Sequence, residues 1–156
     1  MESFLTDPFD LTQDFNKLHK AVWLAERLFK DVKDKSGFPY VGHLYRVAAR
    51  VAVHGTTMMI AAMLHDAIED TDLKLADIWA DFGSEVALLV FTVSRQPDET
   101  YAEFIHRIAD TKNVNAIRLK LADLADNTDP ARPKIISGDR YTEAISELRN
   151  ALRGLE

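Results

Sequence analysis

The 156-residue sequence contains no cysteine, which removes disulfides, thiolate-bound zinc and thiol nucleophiles from consideration. It also lacks a long apolar run, and nothing approaches the roughly 20 residues needed to span a membrane. Basic residues are in deficit, 19 against 25 acidic, and the net charge of −6 argues against polymeric nucleic acid as a partner. A small phosphorylated ligand is not excluded, because a metal ion and a few local cations can meet it within an acidic protein. Met1 to Asp14 carries three aspartates and a glutamate where a signal peptide would need a basic start and an apolar stretch, so the expected location is cytoplasmic. No period-2 strand pattern competes seriously, and there is no internal repeat or low-complexity tract.

What is present is ordinary for a globular domain: 47% hydrophobic and 28% charged residues in a chain long enough to bury a core. Helical periodicity recurs along it. A first amphipathic helix is expected over 12–32, with Phe15, Leu18, Val22, Leu24, Ala25 and Leu28 on its apolar side. Gly37 and Pro39 mark a loop, and a helix from His43 stops at Gly55. A buried helix follows over 57–69, then one capped by Asp72 and ended by Gly83, and another over 85–94 begun by Ser84. Further helices are expected over 101–110, 114–125 and 139–152, with Pro130 and Pro133 breaking the chain between the last two. The reading is all-α: a single compact domain of about eight helices over 12–156, preceded by an arm over 1–11. Trp23 and Trp79 read as packing residues.

The chemistry concentrates in His65-Asp66-Ala67-Ile68-Glu69-Asp70, which follows the apolar run Met58 to Leu64. On a helix, Glu69 shares a face with His65 and Asp66. Carboxylates desolvated beside an apolar helix need a compensating partner, and a cation is an efficient one. His43 opens one amphipathic helix, and Asp123 lies in the largely apolar stretch Ala116 to Ala125. His43, His65, Asp66 and Asp123 form a mixed imidazole and carboxylate set that suits manganese, iron or zinc. Lys33, Lys35, Arg46, Arg95, Arg107 and Lys120 are candidates for local positive charge toward a phosphorylated ligand.

These motifs resemble the HD phosphohydrolase superfamily, and within it the hydrolase domain of the RelA/SpoT alarmone enzymes and the stand-alone small alarmone hydrolases. Lys35-Ser36-Gly37-Phe38-Pro39-Tyr40-Val41-Gly42-His43 is similar to the family's Lys-Ser-Gly-Glu-Pro-Tyr-Ile-x-His. His65-Asp66 through Glu69-Asp70-Thr71 is similar to its His-Asp-x-x-Glu-Asp-Thr, and Lys120-Leu121-Ala122-Asp123 with Asn127 to its Lys-Leu-Ala-Asp-Arg-Leu-His-Asn. The resemblance implies an HD-type helical fold, one divalent ion, Mn2+, held by His43, His65, Asp66 and Asp123, and hydrolysis handled by Glu69 and Asp70. It places Lys35, Ser36, Tyr40, Asn127 and Arg140 against a small nucleotide. The implied reaction removes 3′-pyrophosphate from (p)ppGpp or an adenine analogue such as ppApp. Two other readings stay open: action on 5′-phosphates or on a dinucleotide cofactor such as NADPH, and a nucleotide-binding module without turnover.

Among the departures from the pattern, two place an aspartate where the family has a different side chain. Asp34 replaces the arginine whose guanidinium stacks on the base, which implies an altered guanine preference with the loop 33–37 as one wall of a base pocket. Asp126 replaces the histidine before the last asparagine.

Overall fold

The first apolar stripe folds as α1, Asp14–Leu28, burying Ala21 and Ala25 while Phe15 stays 76% exposed at its start. In this computed structural model the described residues are 14–132 and 139–156, so the arm expected over 1–11 and Pro133 lie outside them. α1 stops four residues before the expected end. Phe29 is buried, and Val32 and Tyr40 close a turn through the Tyr40 N–H and Val32 carbonyl at 2.9 Å, with Lys33 bridged to Pro39. The chain therefore doubles back where a continued helix would have carried the Lys35 loop away from the rest of the fold.

The remaining helices are α2 (Val41–Val51), α3 (Thr56–Leu64), the single turn α4 (Ala67–Asp70), α5 (Leu75–Phe82), α6 (Ser84–Val93), α7 (Tyr101–Asp110), α8 (Val114–Asn127) and α9 (Asp139–Arg153). Eight helices of eight residues or more, and no strand, occur among the described residues. Two corners rest on glycine. Gly55 (φ +101°) and Gly83 (φ +89°) turn α2 into α3 and α5 into α6 in a backbone region essentially closed to other residues. Lys74, and not Asp72, precedes α5, its N–H donating to the Asp77 carboxylate at 3.1 Å. Trp79 is 59% exposed rather than packed.

α3 is apolar almost all round, burying Met58, Ile60, Ala61, Ala62, Met63 and Leu64, and its position follows from that. It lies at the centre, against α1, α2, α6 and α8. A second apolar cluster joins α7, α8 and α9 through Phe104, Ile108, Ile117, Leu124 and Leu148. α8 serves both clusters, giving Ala116, Leu119 and Ala122 to the first and Ile117 and Leu124 to the second. Two carboxylates of α8 are buried with these faces, Asp123 and Asp126, at 5% and 0% exposure.

Arg107, a candidate for ligand contact in the sequence, is instead a structural clamp. It donates to the Thr92 and Ser94 carbonyls at 3.0 and 2.9 Å and pairs with Glu99, tying the end of α6 to α7. Arg107→Met leaves these acceptors unmet and is expected to cost about 1–3 kcal/mol. A thermal melt should fall by roughly 3–10 °C while metal binding is unchanged.

Candidate metal centre

The helix expected over 57–69 is broken at its chemically important point. Asp66 adopts φ −97°, ψ −2°, interrupting the hydrogen-bond ladder between α3 and α4. The break frees the Ala62 carbonyl, which residue 66 would otherwise engage, and the His65 ring takes it through Nδ1 at 2.7 Å. His65 is thereby fixed with Nε2 aimed inward. Asp66 follows at once, its Oδ2 accepting from the Tyr40 hydroxyl at 2.5 Å.

His43, on the first turn of α2, is oriented in the same manner by a different partner: Nδ1 lies 2.7 Å from Asp126 Oδ2 on α8. Both imidazoles thus use Nδ1 outward, leaving both Nε2 atoms for whatever sits between them. His43 Nε2 lies 3.1 Å from Asp123 Oδ1 and 3.7 Å from Asp66 Oδ2. His65 Nε2 is 3.0 Å from Asp66 Oδ2 and 3.5 Å from Asp123 Oδ1. Despite that proximity, the alignment is wrong for a hydrogen bond, and His65 Nε2 is a buried polar atom with no hydrogen-bond partner. An unmet nitrogen facing carboxylates is what a metal ligand presents before the ion arrives. The ligand atoms of His43, His65 and Asp66 lie within 4.8 Å of one another, a spacing that one ion can satisfy.

Asp123 adjoins this group and is held from two sides. Lys120 Nζ donates to its Oδ2 at 2.8 Å, and Asn127 Nδ2 to its Oδ1 at 3.1 Å. Burial opposes the Asp123 anion, but Lys120 and the two histidines outweigh it and hold its pKa well below the carboxylate range. For His65, burial opposes the cation and the Asp66 and Asp123 carboxylates prevail, so its pKa is raised. The site accumulates negative charge and draws in positive charge, which is the electrostatic condition for holding a divalent cation.

Glu69 and Asp70 are not equivalent. Glu69 turns away from the histidines, its Oε1 accepting the Arg95 backbone N–H, so the common face expected for His65, Asp66 and Glu69 does not form. The Asp70 carboxylate makes no hydrogen bond among the described residues. Burial, and then the Asp66 charge, raise its pKa. Both line a cleft of about 690 Å³ between α4, α5 and α6, with Phe91 and Arg95 on its far side.

Among the expected ligand contacts, Tyr40 is at the site, stacked on Phe29 and 5.4 Å from the His43 ring. Lys35 is exposed, and Ser36 Oγ is buried without a partner. Arg140 stacks over Tyr101 and Tyr141 at 4.9 and 4.8 Å. Three candidate cations are already engaged: Arg46 by Asp126, Lys120 by Asp123 and Arg107 by Glu99. The Asp34 carboxylate is engaged: its Oδ1 accepts from the Ser36 and Phe38 backbones at 2.8 and 3.0 Å, and its Oδ2 from Arg132 Nη2 at 2.9 Å. It shapes its own loop and ties that loop to Arg132.

Sequence reasoning missed Arg132 and gave Asp126 no role beyond its departure from the family pattern. The available signal was spacing: Asp126 and Asn127 stand three and four residues after Asp123 on one helix, and Arg46 lies three after His43.

Comparison with known proteins yields consistent findings. The HD domain family model matches residues 21–131. A guanosine-3′,5′-bis(diphosphate) 3′-pyrophosphohydrolase of Aquifex aeolicus is 34% identical over 125 residues, covering 74% of this chain and 18% of that protein. A GTP pyrophosphokinase of Streptomyces coelicolor is 33% identical over 130 residues, covering 78% of this chain and 15% of its own length. The guanosine-3′,5′-bis(diphosphate) 3′-pyrophosphohydrolase MESH1 of Drosophila melanogaster is 32% identical over 104 residues, 64% of this chain and 58% of that protein. The chain thus spans under a fifth of the two bacterial relatives and over half of the fly protein. A solved structure of a metazoan ortholog of SpoT that hydrolyzes ppGpp superposes with a TM-score of 0.71 at 25% identity, covering 90% of this chain and 87% of that one.

Proposed function

Because the chain belongs to the HD-domain family, we propose that it is a metal-dependent hydrolase that removes pyrophosphate from the 3′ position of an alarmone nucleotide, ppGpp or its adenine counterpart. The observation that carries this reading is the convergence of His43, His65 and Asp66 on one point, with both imidazoles bonded outward through Nδ1. A divalent ion held there, with Asp123 as fourth ligand, would polarise a phosphoryl oxygen and acidify water. A nitrogen and oxygen donor set without thiolate suits Mn2+. Relatives over 30% identical in the matched region are named for this hydrolysis, and the solved structure of like fold is of a protein that hydrolyzes ppGpp.

The chain's own residues then divide the work. Tyr40 holds Asp66 in place, and Lys120 and Asn127 hold Asp123. Asp70, unbonded and beside the centre, is placed to take a proton from the attacking water, while Glu69, anchored on the Arg95 N–H, shapes the cleft in which the phosphates lie. Cleavage of the bond to phosphorus leaves a 3′-hydroxyl and free pyrophosphate. Asn127 keeps one N–H and its amide oxygen for a ribose hydroxyl. Lys35 and Ser36 border the nucleotide from the loop, and Arg140 meets it from α9. We place the arm at 1–11 outside a catalytic domain over 12–156. No helix among the described residues is long and apolar enough to cross a membrane, and the reading is of a cytoplasmic enzyme.

A turnover screen with Mn2+ over ppGpp, pppGpp, ppApp, NADPH and common 5′-nucleotides tests the proposal. Pyrophosphate release from one of the 3′-pyrophosphorylated nucleotides is expected. Phosphate release from NADPH or 5′-nucleotides alone would replace it with the 5′-phosphate reading. Binding of ppGpp with no product from any compound would make the site a binding module.

A further inference from the structure

Asp126 is a fully buried carboxylate and does not face the ion-sized cluster directly. Its Oδ2 receives His43 Nδ1 at 2.7 Å, and Arg46, on the same helix as His43, adds Nε to Oδ1 at 2.8 Å. A third partner comes from outside both helices. Arg132 Nη1 donates to Asp126 Oδ2 at 3.1 Å and to the Asp126 main-chain carbonyl at 3.2 Å. Its other terminal nitrogen, Nη2, reaches Asp34 Oδ2 at 2.9 Å, 98 residues earlier in the chain. The Asp34 and Arg132 side chains are 8% and 15% exposed, so this ion pair is shielded from the screening that empties surface pairs of value. One planar guanidinium therefore spans two carboxylates, a geometry that lysine, with a single point of charge, cannot reproduce.

Both ends of this bridge are positions at which the sequence departs from the family pattern. Asp34 organises the loop before α2 by accepting two of its backbone N–H groups, and Asp126 orients the His43 ring. We propose that Arg132 is a positioning residue: through Asp126 it fixes the Nε2 direction of His43, and through Asp34 it makes the 33–40 loop part of the same rigid unit. The proposal rests on His43 being a metal ligand. It means that a change at Asp34, in a loop that supplies no ligand, reaches the metal. By reciprocity, whatever rearranges that loop also changes the affinity for the ion.

The test is Mn2+ titration of the full chain, giving Kd for wild type, Arg132→Met, Asp34→Asn and the double variant, with thermal melts of each without metal. Loss of a partner that orients a ligand from behind typically weakens metal binding about 10–100-fold, and Arg132→Met should fall in that range. Asp34→Asn preserves an oxygen for the loop N–H groups but removes the charge facing Arg132, and should weaken binding by roughly 3- to 10-fold. The double variant should match Arg132→Met alone, because both changes break one chain of contacts. A merely structural role would lower the melting temperature and leave Kd in place. A Kd within twofold of wild type in Arg132→Met, or losses that multiply in the double variant, overturns the proposal. If Arg132→Met does not fold, Asp34→Asn decides by itself: an unchanged Kd overturns, a raised one supports. His43→Ala separates the two levels. Loss of Mn2+ there with none in Arg132→Met sinks only the positioning role, whereas an unchanged Kd in His43→Ala sinks the metal site and the proposal with it.

Discussion

Asp66→Asn should abolish Mn2+ retention and turnover together. The substitution is close to isosteric, so the Tyr40 hydroxyl keeps an acceptor and the turn between α3 and α4 is preserved. What disappears is a negative charge 3.0 Å from His65 Nε2 and 3.7 Å from His43 Nε2. A group that only orients a ligand is worth about 10–100-fold in affinity, and a direct ligand must exceed that. We expect a loss of at least about 1,000-fold in kcat/KM, equivalent to about 4 kcal/mol of transition-state stabilisation. Metal analysis after gel filtration, read beside the rate, checks it. Full metal stoichiometry with normal turnover in the variant would remove Asp66 from the centre.

Asp70→Asn is the second large effect, and it should have a different signature. Removing a positioned general base typically costs about 100- to 10,000-fold in rate. The loss should appear in kcat, with Mn2+ affinity within a few-fold of wild type, because Asp70 stands outside the cluster that can hold the ion. Glu69→Gln is the internal comparison. Its amide oxygen can still accept the Arg95 N–H, so the loss should be smaller than for Asp70→Asn. The reverse order would assign proton transfer to Glu69. Loss of metal in Asp70→Asn would bring Asp70 into the coordination shell.

Much of the fold is legible along the chain because helix formation is governed by near neighbours. The apolar run Met58 to Leu64 marks a buried helix, and Gly55 and Gly83 mark corners that other residues turn only under strain. Boundaries were less legible where a distant residue intervened. α1 ends at Leu28 because Val32 pairs with Tyr40, and α3 ends at Leu64 because the geometry at His65 and Asp66 serves the site rather than the helix. The histidine and aspartate types at 43, 65, 66 and 123 pointed to metal chemistry on their own. Their convergence required three separate segments to pack.

The all-α class, the apolar faces and the presence of a mixed imidazole and carboxylate set all follow from residue type and spacing within a few turns. Tertiary structure alone decided which charges are free and which are engaged. Arg46 and Arg107 look alike as solvent-facing cations in a helical pattern, yet packing ties each to a carboxylate. Asp34 looks like a lost stacking residue until Arg132 is seen holding it to Asp126. Periodicity fixes the face on which a side chain emerges. It carries no information about the partner met there, when that partner lies 80 or more residues away and its position is set by how whole helices pack.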